Sequence, residues 1–303
     1  MSHDLLSATT RYCAVLGQPI RHSASPAMHN PAMAALGLNW RYLAFEVNPR
    51  RLPQALEGCR AMRFLGVNLT VPHKLLALPL MDELDETAAQ WGAVNTVAFE
   101  ARDAAGRWRP LREFEGTAPD EIRTRGYNTD ADAILRALEE DLAFQAAGSR
   151  VLVLGAGGAG RVAALKLASA GASEVFLVNR TTSKSAGVGD EIVRRFPATR
   201  AIADYPEGRI DLVVNATSLG LNPGDALPLD INRWSPGMAS KAYDMIYRPA
   251  QTPFLALAKN AGCQTANGLG MLLYQGAKAL EIWSGKAAPV EVMREALRRQ
   301  VYG

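Results

Sequence analysis

The chain has 303 residues, 48% of them hydrophobic and 21% charged, with a formal net charge of +3. That length favours two domains over one; the small charge, without a long basic run, argues against a nucleic-acid partner, and apolar stretches of about six residues fall far short of the roughly 20 that a membrane helix needs. Three widely spaced cysteines (Cys13, Cys59, Cys263) and four scattered histidines suggest neither a disulfide framework nor a zinc site, and Met1-Ser2-His3-Asp4 lacks the basic-then-apolar pattern of a secretory leader, so a reducing cytoplasm is expected.

Residues 11–17 read as a buried strand ending at Gly17. Ser25-Pro26 then opens a helix, with Ser25 as N-cap and proline at the first helical position. It runs to about Ala35 and closes at Leu36-Gly37-Leu38. A strand near 40–47, a helix near 50–61, a strand near 64–69 and a helix near 83–90 follow. Strands alternating with helices argue for an α/β layer. Residues 99–125 break the pattern, with six arginines and six acidic residues among Gly106, Pro110, Gly116 and Pro119. They read as an exposed hairpin or loop excursion rather than a core element. Helical periodicity resumes at about 131–146.

A second unit begins with the apolar strand 150–154, which runs into Gly155-Ala156-Gly157-Gly158-Ala159-Gly160, a helix over 160–171 and a strand over 174–178. Further strands are expected at 211–215 and 241–245, and two helical stretches from about Leu269. A glycine-rich turn between strand and helix lets the backbone approach a pyrophosphate, which the free amides of the helix N-terminus then bind. The end of the next strand selects the cofactor. An acidic residue there would hold the ribose of NAD, but this chain has Asn179-Arg180-Thr181 with Lys184 close behind. Basic side chains at that point favour NADP, whose extra phosphate they can pair.

Lys74 lies one turn past the strand near 64–69, beside Asn68 and Thr70, and Asn128-Thr129-Asp130 precedes the second unit. Singly, Lys74 reads as a surface lysine and Asp130 or Ser25 as a helix cap. Together they belong to a longer series: Gly17-Gln18-Pro19-Ile20-Arg21-His22-Ser23-Ala24-Ser25-Pro26-Ala27-Met28-His29-Asn30, Gly66-Val67-Asn68-Leu69-Thr70-Val71-Pro72-His73-Lys74, Gly92-Ala93-Val94-Asn95-Thr96, Gly126-Tyr127-Asn128-Thr129-Asp130, Asn215-Ala216-Thr217-Ser218, Tyr243-Asp244-Met245-Ile246-Tyr247 and Gly268-Leu269-Gly270-Met271-Leu272-Leu273-Tyr274-Gln275. These resemble, in order, the motifs of shikimate dehydrogenases, and the chain is identified as a member of the shikimate/quinate dehydrogenase family.

The resemblance implies the reversible reduction of 3-dehydroshikimate to shikimate with NADPH. It implies an α/β fold in which a substrate domain, residues 1–130 with 268–303, and a Rossmann-like NADP domain, residues 131–267, face each other across a cleft. Lys74 and Asp130 would be the catalytic pair. Ser23 and Ser25 would hold the substrate carboxylate, with Asn68, Thr70, Asn95, Tyr247 and Gln275 around the rest of the pocket. The nicotinamide would lie near Ala216, Met245 and Gly268. The only partner expected is the small-molecule substrate, on a monomer or homodimer, with no nucleic acid, membrane or metal. Ala131 and Ala133 stand where the family often has glycine. The competing readings are a quinate/shikimate or related cyclitol-acid dehydrogenase, and a non-catalytic NADP-binding regulator.

Overall fold

The computed structural model describes residues 6–114 and 119–303. The chain divides into two compact units, Met1–Thr129 with Leu273–Gly303, and Asp130–Leu272.

The first unit is built on strands β1 (Arg11–Gly17), β2 (Trp40–Glu46), β3 (Gly66–Leu69), β4 (Glu83–Leu84), β5 (Thr96–Arg102), β6 (Trp108–Pro110) and β7 (Ile122–Tyr127). Their order is β2-β1-β3-β5-β7-β4, with β6 paired to β5. Helices α1 (Ser25–Ala35), α2 (Leu52–Ala61), α3 (His73–Leu76) and α4 (Glu86–Trp91) lie between the strands in sequence. β1 runs parallel to β2 and β3, whereas β5 is antiparallel to both β3 and β7. One edge of the sheet therefore gathers the ends of β1 and β3, the start of β5 and the end of β7. Leu16 pairs Leu69, Asn68 pairs Thr96, and Thr96 pairs Tyr127. The motifs that follow Gly17, Leu69 and Tyr127, and the one that precedes Thr96, all emerge at that edge.

Two sequence expectations are corrected here. Ser25 is not the cap of α1: the N-cap position is Ala24, with no side-chain cap, and Pro26 sits in the first turn. The upstream Ser23 hydroxyl accepts the Ser25 N–H at 3.4 Å instead, so a serine still serves the helix start, two residues earlier. Residues 99–125 are an exposed excursion only in part: β5 and β6 pair as an antiparallel hairpin whose turn, 104–107, is exposed, whereas the two ends of the stretch are sheet strands. Phe99 and Ala101 are core residues of β5, and β7 lies beside it. The charges that suggested a loop pair across neighbouring strands. Glu100, only 6% exposed, accepts Arg123 Nε at 2.8 Å, and Arg123 Nη1 reaches Glu83 at 2.9 Å. Arg123 also lies over the Trp108 ring at 4.7 Å. Residues 115–118 of that stretch fall outside the described residues.

The second unit holds α5 (Asp130–Leu142), β8 (Arg150–Leu154), α6 (Gly158–Ser169), β9 (Glu174–Val178), α7 (Thr182–Arg195), β10 (Arg200–Ile202), β11 (Ile210–Asn215), β12 (Ala239–Asp244), α8 (Pro253–Asn260) and β13 (Gln264–Asn267). Its six strands are all parallel, in the order β10-β9-β8-β11-β12-β13. The first strand lies in the middle and the winding reverses beside it, which is the dinucleotide-binding arrangement with its crevice at the carboxyl ends of the strands. Leu152, Leu154, Phe176, Val213 and Phe254 belong to its core. Helix α9 (Leu269–Ser284) passes from this unit into the first, where α10 (Val290–Tyr302) ends the chain. No helix among the described residues is long and apolar enough to cross a membrane.

Candidate functional site

In the first unit a buried polar network occupies the sheet edge. The Asn68 side chain, 5% exposed, accepts the Tyr42 hydroxyl at 2.7 Å. Its amide nitrogen donates to the Asn95 carbonyl at 3.2 Å and to Thr96 Oγ1 at 3.0 Å. Asn95 in turn grips Thr129 twice: its Oδ1 accepts the Thr129 N–H at 2.8 Å and its Nδ2 donates to Thr129 Oγ1 at 2.9 Å. Asp130 is the next residue and opens α5. Thr70 directly follows β3, and Lys74 lies in the first turn of α3. Thr70 N–H donates to the Leu16 carbonyl, and the His73 N–H donates back to the Thr70 carbonyl at 2.8 Å, turning the chain into α3. Lys74 is half-buried there, its carbonyl accepting Val94 N–H at 2.9 Å. Gly17 packs on this turn, and a Cβ at that position would collide with Thr70 Cγ2. Ser25 is 6% exposed and Ser23 half-buried. Gln275 lies on α9 next to Gly276, where a Cβ would strike Met28, so α9 and α1 approach closely.

In the second unit the expected cofactor residues form a row. Leu154, Val178, Asn215, Asp244 and Asn267 stand in register as the last residues of five parallel strands. Gly155, Asn179, Ala216, Met245 and Gly268 are each the next residue in the chain. The row is closely packed. Gly155 takes φ +103°, and a Cβ there would come 3.0 Å from the Ala216 carbonyl; one on Gly268 would collide with the Met245 carbonyl. Asn179 Oδ1 accepts the Ala156 N–H at 3.0 Å and its Nδ2 donates to the Thr181 carbonyl at 2.9 Å, tying the two neighbouring loops together.

Two further residues escape a reading of the sequence alone. Asp244 is fully buried and closes the loop that carries Met245 and Tyr247. It accepts Thr252 Oγ1 at 2.6 Å, Ile246 N–H at 3.0 Å and Asn215 Nδ2 at 3.0 Å. Burial pushes its carboxyl above the ordinary range, against those three hydrogen bonds. Asn215 holds the Ala216 loop through Thr217, whose N–H and hydroxyl both donate to its Oδ1 at 3.0 and 2.7 Å. The positions of Asn215 and Asp244 within their motifs are the available signal, but a motif match assigns no hydrogen bond.

The glycine loop fits a dinucleotide. Nothing lies within 4 Å of a Cβ built on Gly157 or Gly158, so the backbone is open where a phosphate would approach, and α6 begins there with first-turn amides that have no helical acceptor. Gly160 is the opposite case, since its Cβ would collide with the Gly155 carbonyl. Gly160→Ala is therefore expected to cost about 1–3 kcal/mol of stability, the range for forced overpacking. Gly158→Ala, a better helix former in open space, should leave the melting temperature unchanged or slightly raised. Equal melting curves for the two variants would contradict this packing. Arg180 and Lys184 are exposed at the start of α7. Arg161, just past the loop, is instead committed to Glu191, at 2.6 Å.

Comparison with known proteins matches three stretches to family models: the shikimate dehydrogenase substrate binding domain over residues 15–97, shikimate / quinate 5-dehydrogenase over 137–219, and the shikimate 5'-dehydrogenase C-terminal domain over 268–298. The shikimate dehydrogenase (NADP(+)) of Moorella thermoacetica is 42% identical over 97% of this chain and 94% of its own length. The shikimate 5-dehydrogenase of Thermus thermophilus, solved with NADP(H) and shikimate, superposes with a TM-score of 0.78 at 37% identity, covering 96% of this chain and 99% of that one. A ligand-free 5-ketofructose reductase of a Gluconobacter species superposes equally well, with a TM-score of 0.78 at 32% identity over 97% of this chain and 99% of that one. Sequence identity that runs nearly end to end, over a chain whose motifs assemble on two sheet edges, leads to one conclusion: this chain belongs to the shikimate dehydrogenase family.

Proposed function

We propose that the protein catalyses the reversible, NADP-dependent reduction of 3-dehydroshikimate to shikimate. The observation that carries this is the row of five residues that follow the strand ends, Gly155, Asn179, Ala216, Met245 and Gly268, in a chain that keeps the lysine motif ending at Lys74 and resembles NADP-dependent shikimate dehydrogenases throughout. Gly155 to Gly160 would hold the pyrophosphate, Asn179, Arg180, Thr181 and Lys184 the adenosine end, and Ala216, Met245 and Gly268 the nicotinamide. NADPH, when bound, supplies the hydride.

The chain's own residues handle the substrate and the proton. In the reducing direction the Lys74 ammonium donates a proton from Nζ to the oxygen that becomes the new hydroxyl; in the oxidising direction the neutral amine takes it back. Asp130 orients that amine and accepts from an adjacent substrate hydroxyl. Ser23 and Ser25 hold the carboxylate near the start of α1, whose free amides and dipole favour negative charge. Thr70, Asn95, Tyr247 and Gln275 line the rest of the pocket, and Asn68 supports it. On this reading the protein works as a monomer or a homodimer. Three buried cysteines without a disulfide suit a reducing cytoplasm.

Fold alone does not choose the substrate, as the likeness to a ketofructose reductase illustrates. The carboxylate end does. Two small hydroxyls suit a planar carboxylate on an sp² carbon, as in shikimate. Quinate carries an extra hydroxyl on an sp³ carbon, and an unpaired buried hydroxyl costs about 1–3 kcal/mol, or roughly 5- to 150-fold in selectivity. Steady-state rates with shikimate and quinate, each with NADP and NAD, should place shikimate with NADP first in kcat/KM. Equal or better use of quinate would move the protein to the cyclitol-acid reading.

A further inference from the structure

Tyr42 is absent from every motif considered above, yet it is fully buried and stands where the polar network begins. Its surroundings are built to hold it. β2 is an edge strand, so its outer backbone groups lack a strand partner. Asn30 of α1 supplies one: its Oδ1 accepts the Tyr42 N–H at 2.9 Å and its Nδ2 donates to the Tyr42 carbonyl at 2.9 Å. The preceding residue, His29, stacks on the Tyr42 ring at 4.2 Å with an interplanar angle of 9°. Neither ring nitrogen of this fully buried histidine has a hydrogen-bond partner among the described residues, and burial pushes its pKa down to about 3. His29 is thus a neutral flat plate. The His29-Asn30 pair acts on Tyr42 from both sides, one residue on the ring and one on the backbone.

So held, the Tyr42 hydroxyl has one strong acceptor, Asn68 Oδ1 at 2.7 Å. The other end of that amide is already committed, its Nδ2 donating to the Asn95 carbonyl and Thr96 Oγ1. Burial raises the Tyr42 phenol well above its ordinary value, with Cys13 adding to the shift and a hydrogen bond with Ser25 opposing it. The hydroxyl therefore keeps its proton and remains a donor.

We propose that Tyr42 is a positioning residue of the reaction: its hydroxyl fixes the Asn68 amide, and through Asn68 it sets the Asn95 strand start that grips Thr129. The inference rests on the reading of Asn68 and Asn95 as pocket residues. It gives the His29-Asn30 part of the N-terminal motif a task, which is to hold a tyrosine on the neighbouring strand and not to touch substrate.

The test is a double-mutant cycle. Tyr42→Phe keeps the ring and its stack and removes the hydroxyl, which leaves the buried Asn68 Oδ1 without its donor and also deletes the hydrogen bond with Ser25. It should lower kcat/KM for shikimate by about tenfold, within the range for one orphaned buried acceptor, while the KM for NADP stays within about twofold. Asn68→Ala should lower kcat/KM as well, and Tyr42→Phe added to it should cost less than about twofold more, because the group it acts through is already gone. Normal kcat/KM in Tyr42→Phe, even with a lowered melting temperature, would leave Tyr42 a structural residue only and overturn the proposal. So would two losses that multiply in the double variant. Failure of the underlying functional reading is seen elsewhere, as absent shikimate turnover by the unmodified protein.

Discussion

Replacing Lys74 with alanine is expected to lower kcat for shikimate oxidation by about 10²–10⁴-fold, the usual contribution of one positioned acid or base, while NADP affinity stays within about twofold. The Lys74 carbonyl accepts Val94 N–H at 2.9 Å, and the turn before it is held by the Thr70 carbonyl and His73 N–H. Alanine keeps both bonds and favours the helical turn of α3. A melting curve measured beside the kinetics separates loss of the amine's chemistry from loss of its side-chain contacts. Lys74→Arg sharpens the test. A guanidinium keeps the positive charge but does not release a proton at working pH, so a purely electrostatic role would be largely rescued and a proton-transfer role would not. Near-normal turnover in Lys74→Ala, or full rescue by arginine, would remove Lys74 as the acid and base.

The parts of this molecule that are legible in the sequence are those where local chemistry and the fold agree. β8, the glycine loop and β9 announce themselves, because an apolar run, a turn that only glycine can make and a second apolar run leave few alternatives. α7 carries no such signal. It holds Gly187 and Gly189, poor helix formers, and packs by tertiary contact rather than by propensity. The edge strands β10 and β13 are three and four residues long and include Arg200, Gln264 and Asn267, so they carry no alternating apolar pattern. β7 is hidden by its charges: Arg123 and Arg125 look like loop residues until Glu100, Glu83 and Asp85 are found facing them. The candidate site is legible as residue types within motifs. Its supports are not, because the Tyr42–Asn68 bond spans 26 positions and the Asn215–Asp244 bond 29. Spacing in one sequence cannot reveal which side chains meet across a sheet.

Cofactor choice should reverse its leaning at a single residue. Arg180→Asp is expected to lower kcat/KM with NADP by about 10²-fold, since a hydrogen bond to a charged group is worth about 1.5–3 kcal/mol and a new anion adds repulsion. Activity with NAD should improve relative to NADP, because an acidic residue at the end of this strand can accept from the ribose hydroxyls. Arg180 is exposed two residues beyond β9. Thr181 follows at the N-cap of α7, yet its side chain caps no backbone N–H. A 2′-phosphate there would meet the Arg180 guanidinium, the Thr181 hydroxyl, the Lys184 ammonium and the free amides of a helix N-terminus, all of one electrostatic sign. Folding should tolerate the change, since an aspartate near a helix N-terminus is favoured by the same dipole. Asn179, which ties the neighbouring loops through Ala156 and Thr181, is untouched. Salt supplies an independent readout. The KM for NADP should rise with ionic strength in the unmodified protein, because the pairing is exposed and screened, and that rise should flatten in the variant. Lys184→Ala, which removes a charge without adding its opposite, should produce a smaller loss in the same direction. An Arg180→Asp variant that keeps both its preference for NADP and its salt dependence would show that the discriminating contact lies elsewhere.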